Sequence, residues 1–222
     1  MESAPHAHGR DERAGRPTGL VAILRGLPTE DAAEVGRTLY DAGFRTLEVP
    51  LNSPEPLASI RVLRSVLPSD ATVGAGTVLT VTDVHAAHEA GSQIIVSPNT
   101  NTDVIRTTRS LGMLSYPGVA TASEAFAAVE AGALAVKLFP SGQVGTGGLR
   151  AWTAVMPREI EFIPVGGIDT DSIGEWVRAG ATGFGIGTSL YAPGRELAQI
   201  RQVARELIQA WDGAAAQLRK LV

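Results

Sequence analysis

Short runs of β-branched and apolar residues alternate along this chain with longer stretches in which apolar residues recur every three or four positions. The first pattern is that of buried strands and the second that of amphipathic helices. Strands are expected at Leu20–Arg25, Thr46–Leu51, Thr72–Gly76, Gln93–Ser97, Met113–Tyr116, Ala135–Phe139, Glu161–Val165 and Gly183–Gly187. Helical patterns lie between them at Glu30–Asp41, Glu55–Val66, Val81–Glu89, Thr102–Ser110, Ser123–Glu130, Gly147–Val155 and Asp171–Arg178, with a last one at Arg195–Ala210. The punctuation recurs as well. Asp41-Ala42-Gly43, Glu89-Ala90-Gly91, Glu130-Ala131-Gly132 and Arg178-Ala179-Gly180 each close a helix just before a strand. Glycine there supplies the left-handed cap that stops a helix. Thr121 with Glu124, and Thr80 with Asp83, have the spacing of capping boxes at helix starts.

Strand–helix alternation implies parallel strands joined by right-handed crossovers. Eight such units in 222 residues predict the α/β class and a single (β/α)8 TIM barrel of parallel strands. The barrel is expected over residues 20–222, after a polar N-terminal tail, 1–19, expected to be flexible. An open doubly wound sheet is the alternative. The glycine clusters Gly74-Ala75-Gly76 and Gly183-Phe184-Gly185-Ile186-Gly187 lack the third glycine and the helix context of a dinucleotide fingerprint, so the barrel is favoured.

Composition narrows the chemistry. Positive charge is scattered, aromatics make up 5 % and the net charge is −4, which argues against nucleic acid as a partner. The chain has no cysteine, so disulfides, zinc–thiolate sites and iron–sulfur clusters are excluded; this fits a cytoplasmic location. The tail lacks the apolar core of a secretory signal, and no apolar stretch is long enough to span a membrane. His85 and His88 stand three apart on a helix, but no Glu-x-x-His or paired strand-end histidines accompany them, so no metal site is expected.

A barrel of this type carries its catalytic groups at the C-terminal ends of the strands and binds phosphate after the last two. In order, those ends hold Arg25, Glu48, Thr77, Pro98, Pro117, Lys137, the pair Gly166-Gly167, and Gly187-Thr188-Ser189. Lys137 is the conspicuous one. It lies in an apolar run, and the only other lysine is Lys220; every other cationic side chain apart from histidine is arginine. Burial favours the neutral, nucleophilic amine, a state that a guanidinium cannot reach. Structural alternatives exist for each residue taken alone: a snorkelling lysine, a carboxylate pairing with a buried cation, a threonine cap, a plain glycine turn. Their joint placement on one face is what those alternatives do not predict. The two glycine turns can bring backbone N–H groups against an anion, at the following helix start for the first, and suit a monophosphate. The lysine can condense with a ketone, giving an imine that accepts the electrons of a breaking C–C bond.

These residues resemble a known family. Ala22-Ile23-Leu24-Arg25-Gly26, Glu48-Val49-Pro50-Leu51-Asn52-Ser53-Pro54, Gly74-Ala75-Gly76-Thr77-Val78-Leu79 and Val136-Lys137-Leu138-Phe139-Pro140 are similar to segments of the class I 2-keto-3-deoxy-6-phosphogluconate/phosphogalactonate aldolases. The resemblance runs on through Val165-Gly166-Gly167-Ile168 and Gly187-Thr188-Ser189-Leu190-Tyr191. It implies that Lys137 forms the Schiff base, that Glu48 is the general acid/base and that Arg25 lies beside it. It further implies that Thr77 and the turn at Pro98 hold the pyruvate portion with Phe139 alongside, and that Gly166, Gly167, Gly187, Thr188 and Ser189 take the phosphate. Asn52 and Val165 stand where the phosphogluconate branch typically has arginine and threonine, which points to the 2-dehydro-3-deoxy-6-phosphogalactonate branch. A homotrimer that needs neither metal nor organic cofactor is implied as well. The competing readings are the phosphogluconate substrate or both epimers, a phosphosugar isomerase or epimerase, and a non-catalytic phosphosugar-binding barrel.

Overall fold

The computed structural model describes residues 19–219, so the expected tail up to residue 18, and Lys220, lie outside the described residues. The strands are β1 (Gly19–Ile23), β2 (Thr46–Pro50), β3 (Thr72–Gly76), β4 (Ile94–Val96), β5 (Leu114–Tyr116), β6 (Gly118–Val119), β7 (Ala135–Leu138), β8 (Glu161–Pro164) and β9 (Gly183–Ile186). The helices are α1 (Ala32–Asp41), α2 (Pro56–Val66), α3 (Val81–Glu89), α4 (Thr102–Ser110), α5 (Ala122–Glu130), α6 (Ser141–Thr153), α7 (Ile173–Ala179) and α8 (Leu197–Arg219). No helix among the described residues is long and apolar enough to cross a membrane.

All strand pairs are parallel. One sheet has the order β5-β4-β3-β2-β1-β9 and the other β6-β7-β8. A bridge between Val165 and Gly185 links the two. The result is a parallel α/β fold whose strands curl around a shared interior. Side-chain alternation along a strand creates two cores. Leu20, Ala22, Leu47, Val49, Val136 and Leu138 point outward into the main core beneath the helices. Val21, Ile23, Ile94, Val96, Tyr116, Ala135, Ile163 and Val165 point inward and form a second cluster. Glu48, between Leu47 and Val49, and Lys137, between Val136 and Leu138, share the inward parity. Each is the only ionisable residue of its strand.

The punctuation behaves as expected. Gly43, Gly91, Gly132 and Gly180 all have positive φ just after their helices. Thr80 with Asp83 and Thr121 with Glu124 form complete capping boxes. Three expectations need correction, the first being the last helix, expected to end at Ala210, which runs to Arg219. The helix expected from Gly147 begins at Ser141 and is interrupted at Gly145 (φ 68°, ψ 167°). Its four glycines hide the apolar periodicity that would have announced it. The strand expected to end at Tyr116 resumes beyond Pro117 as β6, because proline has no N–H to continue the ladder.

Candidate active site

Lys137 is 7 % exposed on β7 and Glu48 is 2 % exposed on β2. Both line an interior cavity otherwise walled by Val21, Ile23, Val96, Tyr116, Ile163, Val165 and Gly185. Withdrawal from water dominates both titrations. Burial lowers the Lys137 pKa; the Glu48 carboxylate opposes that shift and the Arg25 guanidinium adds to it. Burial likewise raises Glu48 from 4.5 to about 7, with Lys137 and then Arg25 pulling the other way. The pKa of the amine and that of the carboxyl thus move toward each other. No ion pair within 4.0 Å joins them among the described residues. Glu48 Oε2 is buried with no hydrogen-bond partner. Lys137 Nζ lies 4.7 Å from the ring centroid of Phe139, a cation–π contact.

The loops that follow β1 and β2 are stitched together above this pair. Arg25 Nη1 donates to Asn52 Oδ1 (2.8 Å), and the Gly26 N–H donates to Ser53 Oγ (2.8 Å). Gly26 has φ +78°, which a side chain would strain. Arg25 itself is exposed at the rim, so its charge reaches inward while its head stays within reach of a ligand. Thr77, directly after β3, has φ 56°. A β-branched residue in that region is a strained exception, of the kind that collects at functional sites. Pro98 follows β4, and its carbonyl packs against Gly118, where a Cβ would collide with it.

The two glycine turns also meet. Val165 and Gly185 bridge, and Ser189 Oγ donates to the Ile168 carbonyl (3.2 Å). Gly166 (φ +101°) and Gly167 (φ +69°) take conformations that favour glycine, and nothing lies within 4 Å of where their Cβ atoms would be. Open space likewise surrounds Gly187. Residues 168–172 lie between the first turn and α7, closed by reciprocal bonds between Asp169 and Ser172.

Arg25, Glu48, Thr77, Pro98, Pro117, Lys137 and the two glycine turns, read from the sequence as strand ends, stand midway along their strands, in the C-terminal half or just after them. Sequence reasoning missed Gly76, whose missing side chain leaves room for the Glu48 carboxylate. A glycine inside a strand was the available clue, since it marks a close approach. It also missed Ser141, whose hydroxyl donates to the Gly166 carbonyl (2.5 Å), and Arg195, whose guanidinium reaches the second turn. Nothing in the local sequence of either marks it.

A buried lysine and a buried carboxyl share one cavity, and the Gly166-Gly167 turn follows directly on Val165, which lines it. The family model for "Aldolase: KDPG and KHG aldolase" matches residues 13–203. The chain belongs to that aldolase family. It is a carbon–carbon lyase. A probable 2-dehydro-3-deoxy-6-phosphogalactonate aldolase of Rhizobium meliloti (strain 1021) is 41 % identical over 193 residues, covering 87 % of this chain and 91 % of the relative. The 2-dehydro-3-deoxy-6-phosphogalactonate aldolase of Escherichia coli (strain K12) is 42 % identical over 196 residues, covering 88 % and 95 %. A solved structure described as native KDPGal superposes with a TM-score of 0.87 at 40 % identity, covering 89 % of this aldolase and 96 % of that chain.

Proposed function

We propose that this aldolase cleaves 2-dehydro-3-deoxy-6-phosphogalactonate to pyruvate and glyceraldehyde 3-phosphate through a Schiff base on Lys137. The observation that carries the reading is the shared cavity of Lys137 and Glu48, with the amine's pKa lowered and the carboxyl's raised to about 7. The names of the two relatives at 41 % and 42 % identity support the phosphogalactonate substrate, as do Asn52 and Val165.

The neutral Lys137 amine attacks the C2 ketone, and loss of water gives the protonated imine. Ionised Glu48, directly or through a water, takes the C4 hydroxyl proton. The C3–C4 electron pair moves into the imine, releasing glyceraldehyde 3-phosphate and leaving the enamine of pyruvate. Glu48 returns the proton to C3, and hydrolysis frees pyruvate and the amine. Arg25 keeps the substrate carboxylate and Glu48 in register. Thr77 and the Pro98 turn hold the pyruvate portion, with Phe139 packed beside it. Gly166, Gly167, Gly187, Thr188 and Ser189 take the phosphate, whose remote binding energy fixes the reacting carbons relative to the lysine. Neither a metal nor an organic cofactor enters these steps.

The strands are read as closing into a single (β/α)8 barrel that forms one domain over residues 20–222. The Val165–Gly185 bridge supports closure on one side. On the other, the Lys137 N–H donates to the Pro117 carbonyl (2.8 Å), at the joint between β5 and β6. A homotrimer is proposed as the working assembly. Leu79, Val81 and Phe126 leave apolar side chains exposed at the start of α3 and on α5, surface that further copies would cover. The cytoplasm is the proposed location.

Borohydride reduction in the presence of pyruvate, followed by peptide mapping, tests the chemistry. A stable adduct on Lys137 that disappears in Lys137→Ala is expected; modification confined to Lys220 would overturn the proposal. The ratio of kcat/KM for the two C4 epimers tests the substrate, since specificity resides in that ratio.

A further inference from the structure

Arg195 lies outside the catalytic cavity, in the loop between β9 and α8. Its guanidinium donates to two successive carbonyls of the second glycine turn: Nη1 to Ser189 O (2.8 Å) and Nη2 to Thr188 O (3.1 Å). Two donors of one planar fork thus hold two peptide planes at once, a geometry that lysine cannot reproduce. In a trans peptide the C=O and the N–H point in opposite directions. Fixing the Thr188 carbonyl on Arg195 therefore fixes the Ser189 N–H on the far side, away from the guanidinium. Among the described residues the N–H groups of Gly167, Thr188 and Ser189 donate to no protein acceptor. On the other turn the buried Ser141 hydroxyl grips the Gly166 carbonyl in the same way, which aims the Gly167 N–H. The two turns are cross-braced by Ser189 Oγ and the Ile168 carbonyl.

We propose that Arg195 is a positioning residue for the substrate's phosphate: it orients the Ser189 N–H of the second glycine turn toward the anion and sets a positive charge behind it. This rests on the phosphate role given above to the two glycine turns. Arg195 contributes nothing to the C–C bond-breaking step in this scheme; its effect is confined to the phosphorylated end of the substrate. The energetic logic is preorganisation, because a turn already held in the binding geometry loses less entropy when the anion arrives.

The test compares a phosphorylated substrate with its unphosphorylated 2-keto-3-deoxy counterpart. In Arg195→Ala, kcat/KM for the phosphorylated substrate is expected to fall about tenfold, mainly through KM, and inhibition by inorganic phosphate to weaken by a similar factor. Cleavage of the unphosphorylated compound and borohydride trapping of pyruvate should be unchanged. Arg195→Lys should recover only part of the loss. An equal fall on both substrates would mean general structural damage and would overturn the proposal. Thr188→Glu places a carboxylate where the phosphate is expected and serves as the second arm. If Thr188→Glu abolishes the preference for the phosphorylated substrate while Arg195→Ala leaves it intact, the role of Arg195 is refuted and the phosphate reading survives. If neither variant alters the preference, the phosphate reading falls and the role of Arg195 falls with it.

Discussion

Gly76 leaves on β3 the space into which Glu48 of β2 places its carboxylate; a Cβ at Gly76 would coincide with the carboxylate oxygens. The register pairs Glu48 with Gly74 and Pro50 with Gly76, so the side chain leans along the strand direction to reach that gap. Gly76→Ala should therefore displace the carboxylate while sparing Lys137. A misplacement of this kind is expected to lower turnover by about 10²-fold. Pyruvate trapping on Lys137 should persist, as steady-state kinetics run beside borohydride reduction would show. Undiminished turnover would mean that the carboxylate position does not matter.

Glu48→Gln removes the base without removing bulk. Turnover should drop by roughly 10²–10⁴-fold, the usual reach of general acid–base catalysis. Imine formation with pyruvate should survive better than cleavage. Equal loss of the two would assign Glu48 to capture of the ketone instead of proton transfer.

The raised pKa of Glu48 has a stability consequence with a definite sign. The folded state holds this proton more tightly than the unfolded chain does, so the associated stability is complete below pH 4.5 and is lost as pH rises through about 7. Relative to the native protein, Glu48→Gln should gain little at the acid end and become the more stable of the two at about pH 8. The shift from 4.5 to about 7 sets that gain at roughly 3 kcal/mol at most. Urea unfolding at both pH values measures it. In the native protein kcat/KM should decline on the acid side with an apparent pKa near 7, as the base becomes protonated.

Asn52 accepts a hydrogen bond from Arg25 at 2.8 Å and so fixes the cation that stands over the cavity. Asn52→Arg replaces that acceptor with a second guanidinium, and the two cations repel. The ratio of kcat/KM for the phosphogluconate epimer over the phosphogalactonate epimer is expected to rise by about tenfold or more. A ratio that stays put would locate epimer choice elsewhere.

Thr121→Ala tests stability alone. The Thr121 hydroxyl accepts from the Glu124 N–H, and Glu124 accepts from the Ala120 and Thr121 N–H groups. Loss of the cap should cost about 1 kcal/mol, read by urea unfolding, with kcat unchanged.

Much of this aldolase is legible without coordinates. Helices α3 and α4 and strand β3 have the bounds that periodicity predicts, because capping residues and glycine stops act within one turn of chain. Lys137 and Glu48 are conspicuous for a similar reason: a charged residue flanked by apolar neighbours in a strand either faces a special interior or destabilises the fold. The glycine-broken start of α6 and the short β6 were not legible. Backbone geometry there is imposed by neighbouring strands and not by local preference.

The sequence by itself determined the alternation of strands and helices, the placement of two ionisable side chains within apolar strand runs and the glycine turns at the last two strand ends. Those properties are local, set by period, propensity and the conformational freedom of glycine. Only the tertiary structure decided that Glu48 fills the gap left by Gly76, that Asn52 holds Arg25, and that Ser141 and Arg195 grip the carbonyls of the two turns. The Asn52–Arg25 and Ser141–Gly166 contacts join different loops or elements, the Arg195 contacts close the loop between β9 and α8 on itself, and the first joins neighbouring strands. Strand register and loop packing bring such partners within hydrogen-bond reach, and neither is encoded by the residues' immediate neighbours along the chain.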